Sequence, residues 1–225
     1  MVRTNLYPSP PIRMRLNFEK AVRGWLIFTN FENTTFEGEN MGSVGKPTAS
    51  TAFKQAMSNA ENSIRSNAVE SAILLDSDGT VLFDKSENNV SAVHFTNEET
   101  ARMADKSLTH NHPSGTTFSV DDINLLFKTG LKEIRACHTN GYYSLVRDFE
   151  IGGAMPLNAP YFAIDYYTAK EQYAKRVVDP IFYSGARTKE NIDKCNKMID
   201  DFRSDWLKKH ASEYGYTYKE GKLNE

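Results

Sequence analysis

One short stretch constrains the fold more than any other: Thr109-His110-Asn111-His112-Pro113-Ser114-Gly115, followed by Ser119-Val120-Asp121-Asp122. Asp105 to Thr109 reads as a short strand leading into it. Side chains alternate along a strand, so His110 and His112 point to one face with their imidazoles close together. Pro113-Ser114-Gly115 then turns the chain, and a helix opens at Ser119 with Asp121 and Asp122 in its first turn. Serine is a favoured N-cap and acids suit the positive end of a helix dipole, so Ser119-x-x-Asp122 is also a helix start in its own right. The unit brings two imidazoles and a carboxylate to one place. Three protein ligands leave one coordination position open, the pattern of a catalytic zinc rather than a closed structural one. Asp122 is the preferred ligand, and Asp121, which more naturally faces solvent, is the alternative.

His110-x-His112-Pro113 with Ser119-x-x-Asp122 resembles the motif of the JAMM (JAB/MPN) zinc metalloproteases, and His-Asn-His-Pro-Ser-Gly is similar to the string of their bacterial RadC-like branch. Six residues separate His112 from Ser119, one fewer than the usual JAMM spacing. The shorter form with Phe118-Ser119 resembles JAMM-like domains of phage MuF-type and mobile-element proteins. The resemblance covers Asn67 to Arg147. It implies an α/β fold, a JAMM-like (cytidine-deaminase-like) mixed sheet flanked by helices, here with a C-terminal helical extension. It also implies Zn2+ held by His110, His112 and Asp122, with a bound water whose pKa falls from ~15.7 toward ~7. Hydrolysis of a peptide or isopeptide bond needs a base to take the water's proton and return it to the leaving amine. In JAMM enzymes this is a glutamate on an earlier strand, and Glu70 resembles it. Glu98 and Glu99 compete for the role, although each already suits a helix start. Ser119 resembles the serine that steadies the oxyanion, a role it would share with capping.

The chain divides into an N-terminal arm and linker (1–49), a JAMM-like domain (50–150) and a helical extension (151–225). Met1 to Arg15 is basic and proline-rich and reads as an extended arm. Leu16 to Phe31 carries both helical and strand periods. Glu32 to Ala49 reads as linker. Ser50 to Arg65 carries one apolar stripe of a helix. Ala68 to Leu75 reads as a buried strand, Asp76-Ser77-Asp78-Gly79 as a hairpin turn and Thr80 to Phe83 as its return. Asp-x-Asp-Gly resembles the start of an EF-hand loop, but the rest of that pattern is missing. Val90 to Phe95 reads as a strand, and Thr96 caps a helix through Asp105 with Glu99 in capping-box position. After the histidines come a helix over Val120 to Thr129, ended by Gly130, and a closing hairpin from Leu131 to Arg147 turning at Asn140-Gly141. Phe162 to Val178 and Thr188 to Glu213 read as helices split by Asp179-Pro180. The stripe Ile192, Cys195, Ile199, Phe202 and Trp206 must pack on the core, on the other helix or on a second chain, a homodimer being the last case. Tyr214 to Glu225 is expected to fray.

A net charge of -2 gives no overall electrostatic case for nucleic acid. Cys137 and Cys195 form no Cys-x-x-Cys, so thiolate zinc is not expected, and both are read as reduced and buried. No apolar run is long enough to cross a membrane, and a cytoplasmic protein is expected. His94 and His138 read as ordinary strand histidines. The expected partner is a peptide or ubiquitin-like protein lying extended beside the sheet. Two further readings compete. One is a RadC-like or phage accessory protein contacting DNA or a capsid through the basic arm. The other is a structural domain that keeps the motif without metal.

Overall fold

The computed structural model describes residues 51–90 and 92–222, which belong to one compact unit. The expectations for the N-terminal arm and linker fall outside them. Helix α1 is Thr51–Ile64, β1 Ser71–Leu75, β2 Val81–Ser86, α2 Asn97–Ala101, β3 Ser107–Asn111, α3 Val120–Thr129, β4 Glu133–His138 and β5 Gly141–Arg147. Then follow α4 Phe162–Tyr173, α5 Asp179–Ser184, α6 Lys189–His210 and β6 Tyr216–Lys222. Six strands form one mixed sheet in the order β2-β1-β3-β4-β5-β6. Among the described residues only β3 and β4 pair in parallel, because α3 carries the chain between them as a crossover.

Strand alternation divides the core in two. Ala72, Leu74, Leu108, Ile134 and Leu145 face one way, against Ile123 and Leu126 of α3, Phe162 and Tyr166 of α4 and Leu207 of α6. Ile73, Leu75 and Cys137 face the other way, against Phe53, Met57, Ala60 and Ile64 of α1. Every residue of β1 and β3 is buried, as helices on both faces require. The expected mixed sheet flanked by helices is therefore present. Part of the α6 stripe packs inward: Cys195 is buried, Trp206 packs against the core, and Phe202 stacks on Tyr173 of α4 at 4.3 Å between centroids, whereas Ile192 is exposed.

Several local expectations hold. Thr96 caps α2 in a full capping box with Glu99. Gly130 ends α3 in the left-handed region at φ 66°, a conformation glycine adopts without a Cβ penalty. The Asp76–Gly79 hairpin joins β1 to β2, and both cysteines are buried.

Others are corrected. Residues 92–96 form no strand; Val93 and Phe95 bury themselves against the core without joining the ladder. Helix α2 stops at Ala101 rather than Asp105, where the backbone turns left-handed at φ 57°. The hairpin turn occupies Thr139-Asn140, since Gly141 already pairs with His138. Asp179-Pro180 does not split the helices. Proline fits the first turn of α5, after a π-helical stretch over Ala174–Val178, and the break comes near Gly185. The largest correction is at the C-terminus: Tyr216–Lys222 does not fray but pairs along all of β5. Tyr216 and Tyr218 alternate onto the core face. On the other face the Tyr142 ring covers Gly221 so closely that a Cβ there would lie 2.3 Å from it.

Candidate metal centre

The site lies at the carboxyl end of β3, where the β3–α3 connection leaves the sheet. His110 is in the last turn of pleat and His112 follows the strand; both are buried. A turn closes when Gly115 N donates to His112 O at 2.9 Å. The chain then re-enters as α3, whose N-cap is Ser119. Ser119 Oγ accepts from Asp122 N at 3.1 Å, and Asp122 Oδ2 accepts from Ser119 N at 2.6 Å. This reciprocal cap fixes the Asp122 carboxylate and leaves Oδ1 facing His110. Asp121, one residue earlier, is exposed.

His110 Nε2 lies 2.9 Å from His112 Nε2 and 3.1 Å from Asp122 Oδ1, and His112 Nε2 lies 3.6 Å from Asp122 Oδ2. The fit to a metal can be tested by geometry. Tetrahedral zinc holds ligand atoms at about 2.0–2.1 Å, which places neighbouring ligands about 3.3 Å apart. The first two separations lie just short of that edge length, and the third, to the other carboxylate oxygen, lies just beyond it. One ligand atom from each of the three residues falls within 4.8 Å of the others. The donor set of two imidazoles and a carboxylate also suits zinc.

Tautomers support the same fit. His112 Nδ1 lies 2.7 Å from Thr116 O. A carbonyl only accepts, so Nδ1 carries the proton, and in the neutral ring Nε2 presents its lone pair to the site. His110 Nδ1 is buried with no hydrogen-bond partner among the described residues, so this ring is oriented by packing and by the site itself. Electrostatics couple the three. Burial works against the charged form of Asp122, but His110 and His112 outweigh it and hold the carboxyl well below its usual range. Burial lowers the affinity of His112 for a second proton, but Asp122 more than offsets this and raises its pKa.

Glu70 immediately precedes β1. Ala72 pairs with His110, so Glu70 and His112, each two residues further along, share the same face of the sheet. Burial raises the Glu70 pKa above the usual carboxylate value, against the pull of His112 and His110. Glu70 is thus within electrostatic reach of His110, His112 and Asp122. The competitors are otherwise engaged: Glu99 closes the α2 capping box and pairs with Lys85 at 2.8 Å, and Glu98 is exposed. His94 is exposed and bonds Glu87 at 2.7 Å. His138 stacks on Tyr143 at 5.1 Å.

Sequence reasoning missed the residues that hold the connecting loop. Asp200 Oδ1 accepts from Thr117 N at 3.0 Å. Arg203 donates to Thr117 O at 3.0 Å, to Tyr166 Oη at 2.9 Å and to Phe118 O. Tyr166 Oη also donates to Phe118 O at 2.8 Å. Helices α4 and α6 therefore clamp the loop beside the carbonyl that orients His112. A lone Asp and Arg on the polar side of a helix carry no local signal of such a role. Comparison with protein-family models, curated proteins and solved structures finds no match.

Proposed function

We propose that the chain is a JAMM-type zinc metallopeptidase that hydrolyses a peptide or isopeptide bond. One observation carries this reading: His110 Nε2 stands near tetrahedral edge length from both His112 Nε2 and Asp122 Oδ1, with Glu70 immediately before the adjoining strand. His110 Nε2, His112 Nε2 and Asp122 Oδ1 would hold the ion. When bound, such an ion supplies an acidified water and polarises the carbonyl under attack. Glu70, with its pKa raised by burial, takes the proton of the attacking water and passes it to the leaving nitrogen. The hydroxyl of Ser119 spends one lone pair on the helix cap, which leaves its proton free to be donated to the developing oxyanion. A peptide or ubiquitin-like substrate lying extended at the end of the sheet fits this arrangement.

The test is metal analysis of freshly purified protein, followed by assays on linear and branched ubiquitin-like substrates. Near one equivalent of zinc is expected, with hydrolysis lost and zinc kept in Glu70→Gln. Protein that takes up no added zinc, or Glu70→Gln as active as the parent, refutes the reading.

A further inference from the structure

Asn111 stands between the two histidines in sequence, and alternation sends its side chain to the opposite face of β3. There it is fully buried, and all three of its hydrogen bonds go to the backbone around Glu70. Its Oδ1 accepts from Ser71 N at 2.6 Å, and its Nδ2 donates to Asn67 O and Val69 O, both at 3.1 Å. These partners fix the amide's orientation. Turned over, its NH2 would meet the Ser71 N–H, and its oxygen would meet two carbonyls.

Residues 67–70 lie outside any helix or strand. The ladder that would ordinarily set the backbone at Glu70 begins one residue later. Among the described residues other contacts also hold this segment, including one from Ser86 Oγ to Glu70 O at 3.5 Å. Glu70 N donates to Asn89 O at 2.9 Å. Asn67 Nδ2 donates to Ser71 Oγ, which donates on to Ser86 Oγ at 3.1 Å. Of these contacts, only Asn111 joins this segment to the strand that carries the histidines.

We propose that Asn111 is a positioning residue for Glu70. The end of β3 and the residue after it carry the two histidines on one face, and on the other face Asn111 fixes where the carboxylate opposite them stands. The effect on turnover rests on the hydrolase reading above, while the coupling between Asn111 and Glu70 does not. A side chain of the same strand holds both parts of the site in one frame, so the carboxylate keeps its place relative to the ligands.

The test uses the full chain loaded with cobalt(II) as a spectroscopic probe, with Asn111→Ala and Asn111→Asp. The aspartate keeps the acceptor for Ser71 N but turns its second oxygen on the two carbonyls, so it remains informative if the alanine variant folds poorly. Cobalt affinity is expected to stay within about threefold of the parent, because no ligand is touched, while kcat falls about 10- to 100-fold at nearly constant KM. In a Glu70→Gln background the Asn111 substitution should add no further loss, since the group it places is gone. The cobalt absorption of Asn111→Ala should shift toward that of Glu70→Gln. Amide hydrogen exchange at Glu70 and Ser71 should rise about tenfold, with Ile73 to Leu75 unchanged. Additive losses in the double variant, or unchanged exchange at residues 70 and 71, overturn the proposal. If the cobalt-loaded parent hydrolyses nothing, the hydrolase reading falls, and the exchange and absorption measurements still decide the role of Asn111.

Discussion

Asp122→Asn separates the two jobs of one side chain. In the parent, Oδ2 takes the Ser119 N–H and Oδ1 faces His110. Asparagine keeps one oxygen, which the Ser119 N–H claims, so the NH2 group turns toward His110 and puts a donor where a cation would sit. The helix cap survives, at a cost of no more than about 1 kcal/mol. Zinc binding is expected to be lost. For the parent, free zinc at 100 times Kd stabilises the fold by about 2.7 kcal/mol. In a domain of this size that raises Tm by about 5–11 °C, at about 2–4 °C per kcal/mol. If the variant's Kd rises 100-fold or more, the same zinc contributes at most about 0.4 kcal/mol, or about 1–2 °C. Calorimetry of both proteins in chelator and in zinc reads the difference directly. A parent Tm indifferent to zinc would refute the metal centre. An equal shift in Asp122→Asn would show that zinc binds elsewhere.

Two further outcomes follow from the surroundings of the site. Arg203→Ala strips Thr117 O and Tyr166 Oη of a buried donor, which should cost about 2–3 kcal/mol in urea unfolding. It should also weaken zinc binding about 10-fold, because the loop behind the His112 partner loosens; lost stability with unchanged zinc affinity would confine α6 to packing. Burial pushes the Cys137 thiol up to about 12, so at pH 8 only about one in ten thousand is thiolate. Iodoacetamide should spare Cys137 in the native protein at pH 8 and modify it in urea, as read by peptide mass spectrometry; rapid native labelling would contradict the packing under α1.

What was legible in the sequence was local. The strand, turn and helix start from His110 to Asp122 could be read because alternation, Pro-Ser-Gly and a capping serine each act within a few residues. The same holds for the Thr96 cap and the Gly130 stop. Val93 and Phe95 alternate like a strand but meet no neighbouring strand, and pattern alone does not report whether a ladder partner exists. Strand β6 was missed for the opposite reason. Tyr216 and Tyr218 alternate with Thr217 and Lys219, but a polar C-terminal run gives no sign that the edge of β5 awaits it. Asn111 and Arg203 were invisible as supports because their partners lie some 40 and 85 residues away in the chain.

The supports share a logic that bears on the C-terminal segment. Three pieces of chain meet at the site: the end of β3, the loop from Pro113 to Phe118 and the segment before β1. None of the last two is held by a ladder of its own. The segment before β1 is tied down by Asn111, and the loop by Asp200, Arg203 and Tyr166. The His112 tautomer depends on Thr116 O, one residue from that clamp. Helix α6 is in turn anchored to the sheet, as Ser204 bonds Tyr218 of β6 at 2.9 Å and Lys208 pairs with Glu220 at 3.0 Å. The residues after 150 therefore hold the loop that carries the His112 hydrogen-bond partner. A chain cut after β5 would keep His110, His112 and Asp122 and lose the clamp on the loop that carries Thr116 O.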